Sequence, residues 1–254
     1  MSQDDVLIEV RDAVAFLTIN RPEKMNAITP GMASSMAHIC AEIDEDSAIK
    51  VVLLRGAGTS AFSAGSDIKA LGSYGSAWDF RNRVEYAAAV RNIRKPVIAA
   101  VKGWVLGGGL EMALAADIRV ADRTAKFGAP EVKHGWVGGG GASQLLPRLV
   151  GYGQAMKLLL TGKNIDVEEA ARIGLVDMIA DERGAEETSV SLCKDIAVHD
   201  AVALQAVKAA VRGSLSTSLE QGLKYENDLT TLCFAIGNYR GGVDAFSGRT
   251  RSAE

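Results

Sequence analysis

The stretch "GWVLGGGLEMALAADIRV", residues 103–120, places three consecutive glycines before a glutamate at the start of an apolar, alanine-rich helical segment. Glycine is a poor residue for a helix interior, because it loses more conformational freedom on folding than any other residue. Gly107, Gly108 and Gly109 therefore indicate a loop that must stay free of side chains. The acid two residues after them, Glu111, indicates that this loop borders a polar site.

Strand-like and helix-like segments alternate around this stretch, and this order predicts an α/β fold with mostly parallel strands. After "GLVDMIAD" the strand signals stop and the remaining segments are helical in period. The predicted order is a hairpin of "VLIEV" and "VAFLTI", a helix over 31–45, the strand "VVLLRG", a helix at about 77–93, the strand "VIAAV", a helix from about 109, the strands "IRVAD" and "KFGA", and a helix from about 141.

Composition favours one main folded domain. The chain has 254 residues, of which 48% are hydrophobic and 23% charged, as in ordinary globular proteins. The acidic N-terminus lacks the pattern of an export signal, and Lys102 and Glu111 interrupt the longest apolar run, so we expect no membrane segment. The net charge of −3 and the absence of a basic, aromatic stripe argue against nucleic acid as a partner.

The cysteines and histidines give no sign of a disulfide or a metal site. Three widely spaced cysteines in apolar helical patterns predict buried free thiols and a cytoplasmic location. The three histidines have no metal-ligand spacing, so we predict no metal. These residues are Cys40, Cys193 and Cys233, and His38, His134 and His199.

One basic segment, "RNRVEYAAAVRNIRK", is interpreted as a solvated helix face, because its charged residues surround apolar positions at helical spacing. A phosphate-bearing ligand stays open as an alternative. The basic residues are Arg81, Arg83, Arg91, Arg94 and Lys95.

Three glycine-bearing loops precede helices: "AFSAGSDIKAL" at 61–71, "VLGGGLEM" at 105–112 and "WVGGGGASQLL" at 136–146. Backbone N–H groups at a helix N-terminus can bind an oxygen anion, so these loops are candidate anion holes. The alternative is that the glycines serve tight turns or close packing. No loop has the spacing of an ATP or dinucleotide motif.

Two glutamates adjoin these loops. Glu111 follows the second loop, and Glu131 lies between a short strand and the third loop. An acid among apolar and glycine residues is partly desolvated, which costs free energy unless its charge is used or paired. For Glu111, a first-turn acid that complements the helix dipole is the alternative interpretation.

The sequence resembles the enoyl-CoA hydratase/isomerase (crotonase) superfamily over essentially its full length. The resemblance rests on "VAFLTINRPEKMNAI", "AFSAGSDIKAL", "KPVIAAVKGWVLGGGLEMALAADIRVAD", "AKFGAPEVKHG" and "LLLTGKNIDVEEAARIGLVDMI", in that order. It implies a spiral of ββα units over residues 1–195, which holds the active site. It also implies a C-terminal helical region, 196–254, for assembly into a homotrimer or a hexamer of two trimers and for closing the CoA site.

The resemblance also implies an acyl-CoA thioester substrate, with no cofactor besides the CoA that belongs to the substrate. The backbone N–H groups of Ser66 and Gly108 would form an oxyanion hole for the thioester carbonyl. Glu131 would be the principal acid/base, and Glu111 would position water and share the work. Any side chain at position 108 is then expected to obstruct the thioester and to damage turnover more than folding.

Further positions are expected near the CoA or the acyl group. For Lys24 and Lys69 the alternative is an exposed lysine with no ligand, and for Trp136 it is a core or trimer-contact aromatic. The chain departs from a common family pattern where Gly138 replaces proline and Leu145 replaces arginine, which would reshape the acyl pocket. The expected binding residues are Lys24, Ser66, Asp67, Ile68, Lys69, Gly108, Trp136 and Phe246.

The activity implied is enoyl-CoA hydratase, a lyase of fatty acid metabolism that adds water reversibly to a 2-enoyl thioester. The alternatives on the same scaffold are enoyl-CoA isomerisation and acyl-CoA dehydration or racemisation. An alternative of another class is a non-enzymatic RNA-binding protein, and a structural protein that retains the fold is a further one. The presence of both glutamates favours hydration.

Overall fold

The N-terminal hairpin opens the larger of two sheets in the computed structural model, which describes residues 5–237, 239 and 241–243. Its strand order is β1-β2-β3-β5-β7-β10, with β1 and β2 antiparallel and every later pair parallel. The central strands are apolar on both faces, as strands covered on both sides must be. The strands are β1 (Val6–Arg11), β2 (Val14–Ile19), β3 (Val51–Gly56), β5 (Val97–Val101), β7 (Ile118–Ala121) and β10 (Met178–Ile179).

A second, smaller sheet has the order β4-β6-β8-β9. Its first three strands are parallel to one another, and β9 is antiparallel to β8. These strands have two or three residues each, too few for periodicity to reveal them in the sequence. They are β4 (Ala61–Ser63), β6 (Trp104–Leu106), β8 (Lys126–Gly128) and β9 (Ile165–Asp166).

Helices follow the strands and continue alone after β10. Two short 3-10 helices, Pro22–Lys24 and Pro130–His134, accompany them. The α-helices in the described residues are α1 (Pro30–Glu45), α2 (Ile68–Leu71), α3 (Ala77–Arg81), α4 (Tyr86–Asn92), α5 (Gly108–Ala115), α6 (Ala142–Val150), α7 (Tyr152–Thr161), α8 (Val167–Arg172), α9 (Ala185–Ala197), α10 (Ala201–Gly213) and α11 (Leu219–Ile236).

The chain repeats one path three times: a strand of the larger sheet, a strand of the smaller sheet, then a helix. The three repeats are β3–β4–α2, β5–β6–α5 and β7–β8–α6. Each glycine-bearing loop predicted from the sequence therefore follows a strand of the smaller sheet. Because those strands are parallel, their carboxyl ends share one edge of the sheet, where ligand sites of α/β proteins gather.

The prediction of one helix at about 77–93 is wrong. The segment forms α3 and α4, and the chain leaves helical geometry between them. Glu85 causes the second start, because its carboxylate accepts hydrogen bonds from the N–H groups of Ala87 and Ala88. Lys95 is also not on a solvated face: it is buried, and its ammonium group donates to the carbonyl oxygens of Ile43 and Asp46.

Helix α5 is held firmly at its C-terminal end. All eight of its residues are buried. The guanidinium of buried Arg119 donates to the carbonyl oxygens of Ala113 and Ala116, where the helix dipole is negative, and pairs with Asp177 at 2.6 Å. A fixed C-terminal end in turn fixes the N-terminal end of α5, which carries Gly108 and Glu111.

Two compact units divide the chain, one up to Asp195 and one from Ile196 onward. The first holds both sheets. In the second, α10 and α11 pack together, and α11 exposes large apolar side chains such as Leu219, Phe234 and Ile236. The prediction of buried thiols holds for Cys40 and Cys193 but is wrong for Cys233, which is half-buried. Within the described part of the chain, no helix combines the length and apolar character needed to span a membrane.

Candidate active site

The loops after β4 and β6 touch each other. Gly65 has a φ of +90°, and a Cβ built on it would lie 2.7 Å from the backbone nitrogen of Gly108. A Cβ on Gly109 would likewise overlap the carbonyl oxygen of Ser63. Glycine is therefore required here for close approach of two backbones, and the predicted alternative of close packing applies to these positions.

Two backbone donors are left available by this arrangement. Gly107, at a φ of 53°, turns the chain into α5, so the N–H of Gly108 precedes the first intrahelical hydrogen bond, which joins the N–H of Glu111 to the carbonyl of Gly107. The bridge between Ile28 and Ser66 is made by the residues on either side of Ser66: the carbonyl of Gly65 accepts from the N–H of Ile28, and the N–H of Asp67 donates to the carbonyl of Ile28. The N–H of Ser66 takes no part in it. Among the described residues, the N–H groups of Ser66 and Gly108 have no acceptor.

The third glycine-bearing loop wraps the carboxylate of Glu111. This side chain is buried, and its Oε1 accepts hydrogen bonds from the N–H groups of Gly140 at 2.8 Å and Ala142 at 3.1 Å. A Cβ on Gly140 would lie 2.6 Å from Oε2 of Glu111. The loop therefore has to be glycine-rich, because it packs its backbone directly against the acid.

Glu131 reaches the same place from the 3-10 helix Pro130–His134, which follows β8. A Cβ on Gly138 would lie 2.6 Å from Oε1 of Glu111 and 3.4 Å from Oε1 of Glu131, so both carboxylates lie beside one point. Oε2 of Glu131 is buried and accepts no hydrogen bond from the described residues. A desolvated, unpartnered carboxylate oxygen is a ready proton acceptor.

Burial shifts the titration of both acids. The pKa of Glu111 is raised from 4.5 to about 7, chiefly by burial and further by the carboxylates of Glu131 and Glu85, although the two backbone hydrogen bonds oppose the shift. The pKa of Glu131 is also raised, again chiefly by burial. Paired acids with raised pKa values in a cavity are typical of proton-transfer sites.

A cavity of about 780 Å³ joins these groups. Its lining includes Ser66, Gly108, Glu111, Glu131, Ile68 and Trp136, all of which the sequence analysis selected. Among the described residues, no cluster of three or more potential ligands could hold a metal ion. The cavity thus combines two backbone donors with two facing carboxylates, an arrangement that can stabilise an oxyanion and move a proton next to it.

Comparison with known proteins gives the family. A model described as enoyl-CoA hydratase/isomerase matches residues 9–252. The chain belongs to the enoyl-CoA hydratase/isomerase family. Similar proteins include the short-chain-enoyl-CoA hydratase of Clostridium acetobutylicum, 34% identical over 97% of this chain and 95% of the relative. The crotonyl-CoA hydratase of Syntrophomonas wolfei is also 34% identical, over 97% and 96%.

A solved structure supports the same assignment. The enoyl-CoA hydratase of Bacillus anthracis superimposes with a TM-score of 0.89 at 29% identity, covering 96% of each chain. The expected crotonase-like α/β fold with a C-terminal helical region is confirmed.

Tyr86 is a residue of this hydratase/isomerase site that the sequence analysis missed. Its hydroxyl lies 2.9 Å from Oγ of Ser66, and a Cβ built on Gly108 would overlap it. Burial raises the pKa of Tyr86, so the phenol stays neutral beside the oxyanion donors. The only sequence signal was a tyrosine beginning the alanine run of α4.

Of the other residues expected near the CoA, the structure places some in the cavity wall and others outside it. Asp67 pairs with Arg21 at 2.8 Å and caps α2, and the hydrogen bond from Arg21 lowers its pKa, so this carboxylate has a structural partner. Lys24 and Lys69 are exposed, and neither lines the cavity. Trp136 is 44% exposed and stacks on His134 in the cavity wall, so it is not a core aromatic. Phe246 lies outside the described residues.

The raised pKa of Glu111 gives a testable pH dependence. We expect wild-type stability to fall as the pH rises from about 4.5 through 7, because the folded protein holds this proton more tightly than the unfolded chain. A shift from 4.5 to about 7 corresponds to roughly 3 kcal/mol. Glu111→Gln carries no such proton, so its melting temperature should rise relative to the wild type between about pH 5 and about pH 8. A constant difference over that range would contradict the shift.

Proposed function

We propose that this protein is an enoyl-CoA hydratase, which adds water reversibly across the double bond of a 2-enoyl-CoA thioester. One observation carries the proposal: carboxylate oxygens of buried Glu111 and half-buried Glu131 lie within 3.4 Å of a single point, a Cβ built on Gly138. The same cavity holds the N–H groups of Ser66 and Gly108, which have no acceptor among the described residues.

The backbone donors act on the thioester carbonyl. When its oxygen accepts hydrogen bonds from Ser66 and Gly108, electron density is drawn from the conjugated double bond, and C3 becomes open to attack. Negative charge then develops on the same oxygen in the enolate. Donors fixed in position before the reaction are typically worth about 3 to 4 kcal/mol each.

The carboxylates act on the water. Glu111 and Glu131 hold a water molecule between them, and Glu131 takes its proton as the water oxygen bonds to C3. The acid pair then gives one proton to C2 of the enolate, which restores the thioester carbonyl, returns the carboxylates to their starting charge and completes the addition. Glu131 is the principal acid/base in this assignment, because its Oε2 is unpartnered in the described residues. Glu111 takes part in the same proton transfers, because two interacting carboxylates titrate as a pair.

Hydration is favoured over the isomerase alternative because two backbone hydrogen bonds hold the carboxylate of Glu111 in place. Isomerisation needs one carboxylate to carry a proton between two carbons, and Glu131 alone would suffice for that. The two backbone hydrogen bonds to Glu111 orient a second carboxylate toward the first. A second oriented acid is useful where a water molecule must be held as well as deprotonated.

Loss of the conjugated enoyl-thioester absorbance tests the proposal. Purified protein should consume crotonyl-CoA and longer or branched 2-enoyl-CoAs, and the 3-hydroxyacyl product should carry oxygen from isotopically labelled water. A gain of the same absorbance from 3-enoyl-CoA, without any hydration, would support isomerisation instead. Failure to turn over any 2-enoyl-CoA would overturn the hydratase proposal.

The remaining assignments follow from the same proposal. The substrate brings its own CoA, so no separate cofactor is needed, and no nucleic acid or membrane takes part. Copies of this chain are the expected partners, in a homotrimer or a hexamer of two trimers. The apolar side chains exposed on α11 support a role in that assembly. The cysteine usage supports a cytoplasmic location.

A further inference from the structure

Arg83 brings a positive charge into the cavity without a carboxylate partner. It lies between α3 and α4, is half-buried, and lines the cavity. Its Nη1 donates to the carbonyl oxygen of Phe80 at 2.9 Å, and the guanidinium carbon lies 4.2 Å from the centre of the Phe80 ring. Among the described residues, no carboxylate oxygen lies within 4.0 Å of this guanidinium. Several of its five N–H donors are therefore available to a ligand.

The Nη2 side of the guanidinium faces the loop that carries Gly138 and Gly139. A Cβ built on Gly139 would overlap Nη2 of Arg83. The adjacent Gly138 is the position beside which Glu111 and Glu131 meet. Arg83 and the two acids therefore contact neighbouring residues of one loop and line the same cavity.

Three carboxylates of the cavity give the guanidinium of Arg83 a possible role in substrate selection. Glu85, Glu111 and Glu131 all line the cavity, so a negatively charged acyl group would be repelled without a compensating cation. A guanidinium can bind a carboxylate through two parallel hydrogen bonds, and these charge-assisted bonds are strong. A neutral acyl chain would leave the same guanidinium unpaired in the complex.

We propose that Arg83 binds a free carboxylate on the acyl group, so that the preferred substrates are short 2-enoyl-CoA thioesters of dicarboxylic acids. This inference rests on the proposed hydratase function. The phosphates of CoA are a second source of anionic oxygen, but the pantetheine arm separates them from the thioester.

Two thioesters of equal chain length test the proposal. Glutaconyl-CoA and 2-pentenoyl-CoA both carry a five-carbon 2-enoyl group, and they differ only in a terminal carboxylate against a methyl. The wild type should have the higher kcat/KM for glutaconyl-CoA. In Arg83→Met, the ratio of the two kcat/KM values should fall by about 10- to 100-fold, the effect of losing a charge-assisted pair. Arg83→Lys should restore part of the ratio.

Arg148→Met is the control, because it removes the same charge from an exposed arginine that does not line the cavity and whose Nη1 donates to the carbonyl oxygen of Gln144. It should keep the ratio within about twofold; an equal fall would overturn the assignment to Arg83. Both thioesters are assayed on one preparation, so partial unfolding lowers both rates and leaves the ratio unchanged. An unchanged ratio in Arg83→Met would overturn the proposal, whether or not both rates fall.

The wild type separates the two proposals. An enzyme that hydrates 2-pentenoyl-CoA as well as or better than glutaconyl-CoA overturns the role of Arg83 alone. An enzyme that hydrates other 2-enoyl-CoAs but neither of these two also overturns the role of Arg83, whereas an enzyme that hydrates no 2-enoyl-CoA overturns the hydratase function itself.

Discussion

Glu131→Gln is expected to lower kcat for 2-enoyl-CoA hydration by about 10²- to 10⁴-fold, the range that a positioned general acid or base contributes. The amide has the size of the carboxylate but cannot take a proton from water. Glu111→Gln is expected to fall in the same range, although its amide oxygen can still accept the hydrogen bonds from Gly140 and Ala142 that now reach Oε1. Steady-state kinetics on crotonyl-CoA measure both losses.

Glu85→Gln is the matched control for this pair. Glu85 is a third carboxylate of the cavity wall, but its oxygens accept hydrogen bonds from the start of α4, and an amide oxygen can replace part of that cap. We expect its kcat to stay within about tenfold of the wild type, the cost of about 1 kcal/mol of local disturbance. Full activity in both Glu111→Gln and Glu131→Gln would contradict the proposed roles of the two acids.

Features that depend only on a short stretch of sequence could be predicted. Glycines before helices, and acids beside them, are visible without a structure, because no other residue tolerates the positive φ of Gly65 and Gly107 as readily. The resemblance then gave Ser66, Gly108, Glu111 and Glu131 as one site, and the structure brings these four residues to one cavity. Their chemical roles stay predictions.

Features that depend on tertiary contacts could not be predicted. The strands β4, β6 and β8 have three residues each, so the pairing of β4 with β6 and of β6 with β8, which aligns the glycine-bearing loops, leaves no periodic signal. Helical spacing placed Arg83 on a solvated face, but the chain leaves the helix at this point and Arg83 turns toward Gly139. Lys95 is buried because two carbonyl oxygens, 49 and 52 residues earlier in the chain, accept its hydrogen bonds.

The two central glycines of the oxyanion loops have different functions. The missing side chain of Gly108 makes room for the hydroxyl of Tyr86, so Gly108→Ala must displace a buried ring, and folding should suffer along with turnover. The missing side chain of Gly65 leaves the N–H of Gly108 open, because a Cβ there would lie 2.7 Å from that nitrogen and 3.0 Å from the carbonyl oxygen of Leu106. A methyl group at position 65 would therefore crowd the N–H that is assigned to the thioester oxygen.

Gly65→Ala is expected to lower kcat by about 10²- to 10³-fold, the loss typical of removing one oxyanion donor. Its φ of +90° also strains alanine, which lowers stability by about 1 kcal/mol or more. Gly174→Ala separates the two effects, because Gly174 has a φ of +81° but a Cβ there would meet only a carbonyl oxygen at 3.7 Å. Melting temperature and kcat are measured for both variants. Similar thermal losses with a large fall in kcat for Gly65→Ala alone would place the defect at the Gly108 donor, whereas equal kcat values in the two variants would refute that placement.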